Sequence, residues 1–258
     1  MNYGLYLSAS GALANMYRQD VFANNLANVN TAGFKNDLAA ITQRKPEAME
    51  GLHGADVSHR LLDKLGGGVL AGPQRISFSQ GPIEKTQGSL DVAITRNNQF
   101  LVTEAPNSQA GVRLTRDGRL AVDSQGYLTT AAGGHRILGV GDERIQLQTD
   151  AKAIINGKGQ ILQNNQVVGQ LQLAQINDTQ RLLKQGANLY QWTQGSDPRT
   201  QPNAIAIEPQ AIEASAVDPV TAMMKLMGAS RAAEGNANLI RYHDTLMDRA
   251  INTLGRIA

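Results

Sequence analysis

The sequence predicts an α+β fold: a discontinuous, coiled-coil-like domain of N- and C-terminal helices, with an all-β domain inserted between them. Three observations predict it. Apolar residues recur at three-four spacing near both ends of the chain, the period of one helix face. Between residues 90 and 192 they alternate instead in short runs broken by Gly, Asn and Asp, the pattern of strands and turns. Stretches rich in Gly and Pro separate the two patterns on both sides. The expected boundaries are an N-terminal helix at 1–35, a loop-rich linker with extended segments at 36–88 and the all-β domain at 89–194. A return linker at 195–217 and a C-terminal helix at 218–258 complete the chain.

In the first helix, about residues 3 to 30, Leu5, Ala9, Ala12, Met16, Ala23 and Leu26 share a face that Gln19 interrupts. A seam so narrow and so rich in small residues suits the close approach of another helix. A helix packed on its own domain is the plainer alternative. Asn24, Asn25, Asn28 and Asn30 crowd its last turns, and asparagine tolerates the left-handed backbone in which helices terminate. Thr31-Ala32-Gly33 then reads as a stop, leaving Phe34 to anchor the next segment.

Residues 36 to 80 are punctuated by Lys45-Pro46, Gly51, Gly54, Gly66-Gly67-Gly68, Gly72-Pro73 and, just beyond, Gly81-Pro82. Loops with short extended pieces are expected, with Ile76 and Phe78 as the best strand and 56–65 as a short helix. No phosphate-loop pattern surrounds the triple glycine, so it reads as a hinge or linker.

The β-domain opens on Leu90, Val92 and Ile94, a turn at Asn97-Asn98, then Phe100 and Val102, together a hairpin signature. A second hairpin is expected where Val112 and Leu114 lead into Asp117-Gly118, a type I′ pair, and Leu120 and Val122 leave it. Asp123-Ser124-Gln125-Gly126 turns the chain again before Tyr127-Leu128, and Gly133-Gly134 precedes Ile137-Leu138. Further strands are expected at 145–147, 154–155, 161–162 and 167–176, with Gly157-Lys158-Gly159 as a hairpin turn.

Pro198, Pro202 and Pro209 mark the next boundary. Asp218 then caps a helix whose first position is Pro219. Val220, Met223, Met224, Met227, Ala237, Ile240, Met247, Ile251 and Leu254 carry an apolar seam almost to the terminus. Such a helix is about 60 Å long at 1.5 Å per residue and needs a partner along its length. Gly228 and Gly235 weaken it by about 1 kcal/mol each. Two helices with narrow seams bury too little apolar surface to stand alone in water, so other copies or other proteins must cover the rest. When such contacts are heterologous they propagate into an open filament or tube.

Composition narrows the function classes. Hydrophobic residues at 41% support a folded core, while aromatics at 4% are too sparse to line a deep ligand pocket. A formal charge of +2 with mixed signs throughout provides no basic stripe, so no nucleic-acid partner is expected. The chain has no cysteine, which removes disulfides, thiolate metal sites and Cys nucleophiles together. Its start lacks a basic segment followed by a continuous apolar one, so a cleaved secretory signal is not expected. Of the four histidines, His53 and His59 match no metal spacing and read as a surface pair, and His243-Asp244 point apart on a helix. No G-x-S-x-G is present, and Asp142-Glu143 read as solvated. No catalytic, cofactor-binding or metal residue and no small-molecule substrate is expected. A cell-wall-binding or peptidoglycan-hydrolysing β-domain is the alternative from another class.

Four motifs, in order, carry a resemblance. Asn24-Asn25-Leu26-Ala27-Asn28-Val29-Asn30-Thr31-Ala32-Gly33-Phe34-Lys35 closely resembles the N-terminal signature of the bacterial flagellar rod and hook proteins. Ser89-Leu90-Asp91-Val92-Ala93-Ile94 is similar to the segment that opens their β-domain. Leu114-Thr115-Arg116-Asp117-Gly118, continued by Val122-Asp123-Ser124-Gln125-Gly126-Tyr127-Leu128, is similar to their repeated-turn hairpin. Glu213-Ala214-Ser215-Ala216-Val217-Asp218-Pro219-Val220 resembles the approach to their C-terminal helix. Length and the stretch His135-Arg136-Ile137-Leu138-Gly139 look most like the proximal rod type, with the distal type second; Asn97-Asn98-Gln99 departs from the Gly-rich turn of relatives.

The resemblance implies a structural subunit of the basal-body rod in the periplasm, exported unfolded by the flagellar type III apparatus without a cleaved signal. Its partners would be other copies of itself, other rod proteins and the export apparatus, and no cofactor is implied. The terminal helices would line the tube, the β-domain would face outward, and torque would pass through many packed subunit contacts.

Overall fold

The computed structural model describes residues 3–45, 66–105, 111–148, 151–192, 197, 199–201 and 205–254. The chain runs through α1 (Tyr3–Ala27), β1 (Asn36–Leu38), β2 (Ile41–Gln43), β3 (Val69–Ala71), β4 (Arg75–Ser77) and β5 (Ile83–Lys85). It continues through β6 (Val92–Ile94), β7 (Gln99–Glu104), β8 (Val112–Thr115), β9 (Leu120–Val122), β10 (Leu128–Thr130), β11 (Leu138–Gly139) and β12 (Glu143–Arg144). Then come β13 (Ala153–Ile155), β14 (Gln160–Gln163), β15 (Gln166–Gln170), β16 (Leu173–Gln175), β17 (Leu182–Lys184) and β18 (Leu189–Trp192). β19 (Ile207–Pro209), β20 (Ala211–Glu213) and α2 (Pro219–Leu254) end it. A helix, a strand-rich centre and a second helix make the α+β class. The chain divides into two compact units, one holding Met1–Leu26, Asp37–Arg75 and Pro219–Ala258, the other Ala27–Asn36 and Ile76–Asp218.

The first unit contains α1, α2 and the β2–β3 hairpin. α2 starts at Pro219, as its fixed φ and missing N–H dictate, and runs 36 residues without a break at Gly228 or Gly235. The triple glycine is not a free linker. Arg44 and the glycines exchange backbone bonds, Arg44 N to Gly68 O at 3.0 Å and Gly67 N to Arg44 O at 3.2 Å, which extends the β2–β3 ladder. Gly68 has φ +93°, and a Cβ there would lie 2.6 Å from Ser10 Oγ on α1. The glycines let a hairpin lie against a helix. The expected helix at 56–65 lies outside the described residues.

In the second unit, five antiparallel strands in the order β16-β7-β8-β18-β17 form the main sheet. β7 is buried on both faces. Phe100 and Val102 join one apolar cluster, with Leu114, Tyr190, Trp192 and Phe78, while Leu101 joins the other, with Val92, Leu128, Ile137 and Ile161. Phe78, Phe100 and Tyr190 stack edge-on or tilted with centroids 5.3 to 5.9 Å apart, geometry that adds to the area they bury.

Both expected hairpins around residue 100 are overturned. β6 pairs with β19, Val92 opposite Pro209 and Ile94 opposite Ile207, rather than with β7. β8 pairs with β7 and β18, while β9 pairs with β10. Asp117-Gly118 is not a type I′ turn, since neither residue has positive φ. Gly118 is glycine for lack of room: an added Cβ would sit 1.6 Å from Val92 O, whose own N–H donates to Gly118 O at 2.9 Å. The expected strand at 167–176 is two strands, β15 and β16, parted at Leu171, which bridges Gly139. The expected strand at 145–147 is an irregular stretch beside β10, with Leu128 N donating to Ile145 O and Leu147 N to Gly126 O. The Asp123 turn is as expected: its Oδ1 accepts from Gln125 N and Tyr127 N, both at 2.8 Å, and Gly126 takes φ +86°. So is the turn between β13 and β14, where Gly159 takes φ +72°.

Candidate functional site

Two places in the molecule concentrate the family-like motifs: the faces of the helices in the first unit and a buried charge junction in the second.

Within the first unit, a Cβ on Gly4 would lie 2.9 Å from the His243 ring, and one on Gly11 would lie 3.1 Å from the Asn236 amide. Seven residues forward on α1 match seven residues back on α2, so the helices run antiparallel where they meet. On the same two helices Ala14, Val21, Asn25, Ala222 and Ala229 are buried. Where the two helices are seen to meet, glycines face the polar side chains of His243 and Asn236.

The large apolar side chains are on the outside. Of the residues expected to form a seam, Leu5, Ala9, Ala12, Leu26 and Ile240 are half-buried, whereas Ala23 is exposed. Met16 is 54% exposed, Val220 64% and Ile251 69%; Met223, Met227 and Met247 are exposed too. The Leu254 side chain lies outside the described residues. Tyr6, Leu13, Met224, Leu239, Tyr242 and Leu246 enlarge the exposed apolar surface of the two helices.

The Asn-rich motif makes the transition out of α1. Asn25 behaves as a strand partner, its Nδ2 donating to Asp37 O and its Oδ1 accepting from Asp37 N, both at 2.8 Å. Beyond Leu26 and Ala27, Thr31 caps the turn through Asn28, while Asn24 and Asn30 stay exposed. Gly33 takes φ +68°, and a Cβ there would meet Arg116 O at 2.3 Å, so only glycine fits. Phe34 is buried, with Lys184 Nζ 3.8 Å above its ring. Asn188 Nδ2 donates to Ala32 O at 2.7 Å and Lys184 Nζ to Lys35 O at 2.6 Å, so the β17–β18 turn clasps the motif from outside.

Directly behind that motif is the junction. Glu213, at the end of β20, accepts from Lys35 Nζ at 2.6 Å and Gly81 N at 3.0 Å on one oxygen, and from Arg116 Nε and Nη2 at 3.0 and 2.7 Å on the other. Lys35 also donates to Ser79 O at 2.7 Å, and Arg116 to the carbonyls of Gln99, Ile94 and Arg96. The three side chains are at most 1% exposed. Two cations share one carboxylate, so the site carries a net positive charge out of contact with water. Burial, and then repulsion from Arg116, lower the Lys35 pKa from 10.5 to about 8 despite the opposing pull of Glu213. No signal in the periodicity marked these residues, because Lys, Arg and Glu read as surface. The available clue was positional: each belongs to a different one of the four motifs.

The remaining polar candidates are scattered. His53 and His59 lie outside the described residues. Asp142 pairs with Arg199 at 3.0 Å, and Glu143 is exposed. Among the described residues no helix is long and apolar enough to cross a membrane.

Comparison with known proteins supplies the context for these two features. Residues 5–35 match the family described as flagella basal body rod protein, and residues 208–253 match the flagellar basal body rod FlgEFG protein C-terminal family. The chain is 31% identical over 258 residues to flagellar basal-body rod protein FlgF of Caulobacter vibrioides, covering 100% of both chains. It is 28% identical to FlgF of Mesorhizobium japonicum, covering 99% of each chain. Flagellar basal-body rod protein FlgG of Bacillus subtilis is 26% identical, with 96% of this chain and 97% of that one covered. The chain belongs to the flagellar basal-body rod protein family, as a structural subunit of the rod.

Proposed function

We propose that this subunit is of the proximal-rod type and polymerises through the outer faces of α1 and α2, with copies of itself and with other rod proteins, into the tubular drive shaft that carries torque. In this reading the two helices form one discontinuous coiled-coil-like rod-core domain, and the strand-rich centre is an inserted β-domain that they display. The subunit reaches the periplasm unfolded, through the flagellar export apparatus. The observation that carries the reading is the inverted helix pair: small and polar groups meet inside it, and Met16, Met223, Met227, Met247 and Ile251 stay outside. These side chains are about half exposed, so covering the rest of each contributes about 1 kcal/mol, and assembly draws on many of them together.

The test is Ile251→Asp and, separately, Met223→Asp in cells lacking the native copy. Both variants fold, because each position is exposed, and both fail to enter basal bodies. Motile cells with complete rods would refute the reading. Relatives named FlgG also match over nearly the whole chain, which favours the distal position as the second reading. A label on the subunit, located along purified basal bodies, separates the two positions.

A further inference from the structure

We propose that Lys35, Arg116 and Glu213 form a completion latch: the second unit closes over its N-terminal stretch only when the C-terminal return strand has brought Glu213 into place. Lys35 and Glu213 are 178 residues apart in sequence, and Arg116 and Glu213 are 97 apart. Until Glu213 arrives, closing the unit means burying an ammonium and a guanidinium side by side with only carbonyl groups around them. That arrangement is strongly disfavoured in a dry site. The same residue also closes the backbone. Glu213 O accepts from Gly33 N at 2.7 Å, and three residues on Ala216 N donates to Phe34 O at 3.0 Å. Glu213 Oε1 accepts in addition from Gly81 N at 3.0 Å.

The strand pairings of the main sheet do not involve Glu213. Those pairings, β16-β7-β8-β18-β17, all fall between residues 99 and 192. Folding therefore has two stages: the sheet forms on its own residues, and the N-terminal stretch docks last, together with β20. The latch rests on the rod reading for its purpose alone. A chain delivered progressively from its N-terminus would keep residues 27–36 undocked until nearly all of it had arrived.

The experiment uses the full chain as a dilute monomer, so it reports on the latch whether or not rods form, just as the Ile251→Asp test leaves the latch intact. Its probes are amides bonded within their own segments: Phe34 N to Thr31 O, Asp117 N to Thr115 Oγ1 and Arg119 N to Asp117 Oδ1. In wild-type protein refolding from urea, pulse-labelled hydrogen exchange should show these amides gaining protection with residues 211–216, after β7, β8 and β18. In Glu213→Gln they should exchange roughly 100-fold faster or more while the sheet keeps its protection. Adding Lys35→Met removes one of the two facing cations and should recover part of that loss. Protection of Phe34 ahead of residues 211–216 during refolding would overturn the latch. So would a Glu213→Gln protein loosened at 211–216 only. The refolding measurement needs no variant, so the proposal stays exposed even where Glu213→Gln fails to fold.

Discussion

Alkaline pH should stabilise this protein, and Lys35 should be the reason. Its ammonium is wholly buried, and its pKa falls to about 8 against an ordinary 10.5. Below pH 8 the folded and unfolded chains both hold the proton, and the cost of burying the charge is fully present. Between 8 and 10.5 the unfolded chain binds a proton that the folded chain does not, so stability rises with pH. Over the whole window the gain is about 3 kcal/mol, and about 2 kcal/mol of it is reached by pH 9.5. Lys35→Met removes the titrating group and leaves Arg116 and Glu213 balanced. Urea unfolding of both proteins at pH 7.5 and 9.5 can be followed by the fluorescence of Trp192, the single tryptophan, buried in the second unit. Relative to Lys35→Met, the wild type should gain about 2 kcal/mol between the two pH values, a midpoint shift on the order of 1 M at an m-value near 2 kcal/mol/M. A difference between the two proteins that is the same at both pH values would refute the reasoning, because Lys35 would then titrate as it does in water.

Other substitutions probe local geometry. Gly118→Ala places a methyl 1.6 Å from Val92 O and should cost about 3 kcal/mol or more, roughly 6–12 °C in melting temperature; an unchanged melt would contradict the close approach. Gly228→Ala and Gly235→Ala meet nothing within 4 Å and should each stabilise the monomer by up to about 1 kcal/mol, read as a higher thermal midpoint of the helical circular dichroism signal. A lower midpoint would mean that the helix is irregular there. Ala187 holds φ +48° in the clasp over the motif, so Ala187→Gly should raise the urea midpoint by the equivalent of about 1 kcal/mol, and a lower midpoint would argue against strain at that residue.

Local chemistry was legible in the sequence, and distant pairing was not. The end of α1 at the asparagines and Gly33, the start of α2 at Asp218-Pro219, and the turns at Asp123 and Gly159 each depend on residues a few positions apart. β6 looked like half of a hairpin because its neighbour β7 is equally apolar, yet its partner β19 lies more than a hundred residues on. Asp117-Gly118 has the composition of a tight turn, but its glycine answers to Val92 in another strand. The helix faces show a further limit. Periodicity ranks large apolar residues as inward-facing, so it picked out Met16, Met223 and Met227, which are exposed, while the helices meet through Gly4, Gly11, Asn236 and His243. Buried charge escaped periodicity for a related reason, since a Lys, an Arg and a Glu in separate segments read as surface, and only their places in three of the four motifs hinted at a meeting.

The inside-out character of the helix pair has a practical side. Glycine opposite histidine and asparagine lets two helices approach closely without spending greasy side chains on each other, the strategy that helices use in a lipid environment. What remains outside behaves as adhesive. A solitary molecule in water therefore exposes many large apolar side chains along its two helices, and exposed apolar surface drives indiscriminate clumping. Purified subunits should stay dispersed only at low concentration, in mild detergent, or in the company of an escort that shields α2 until its neighbours are at hand.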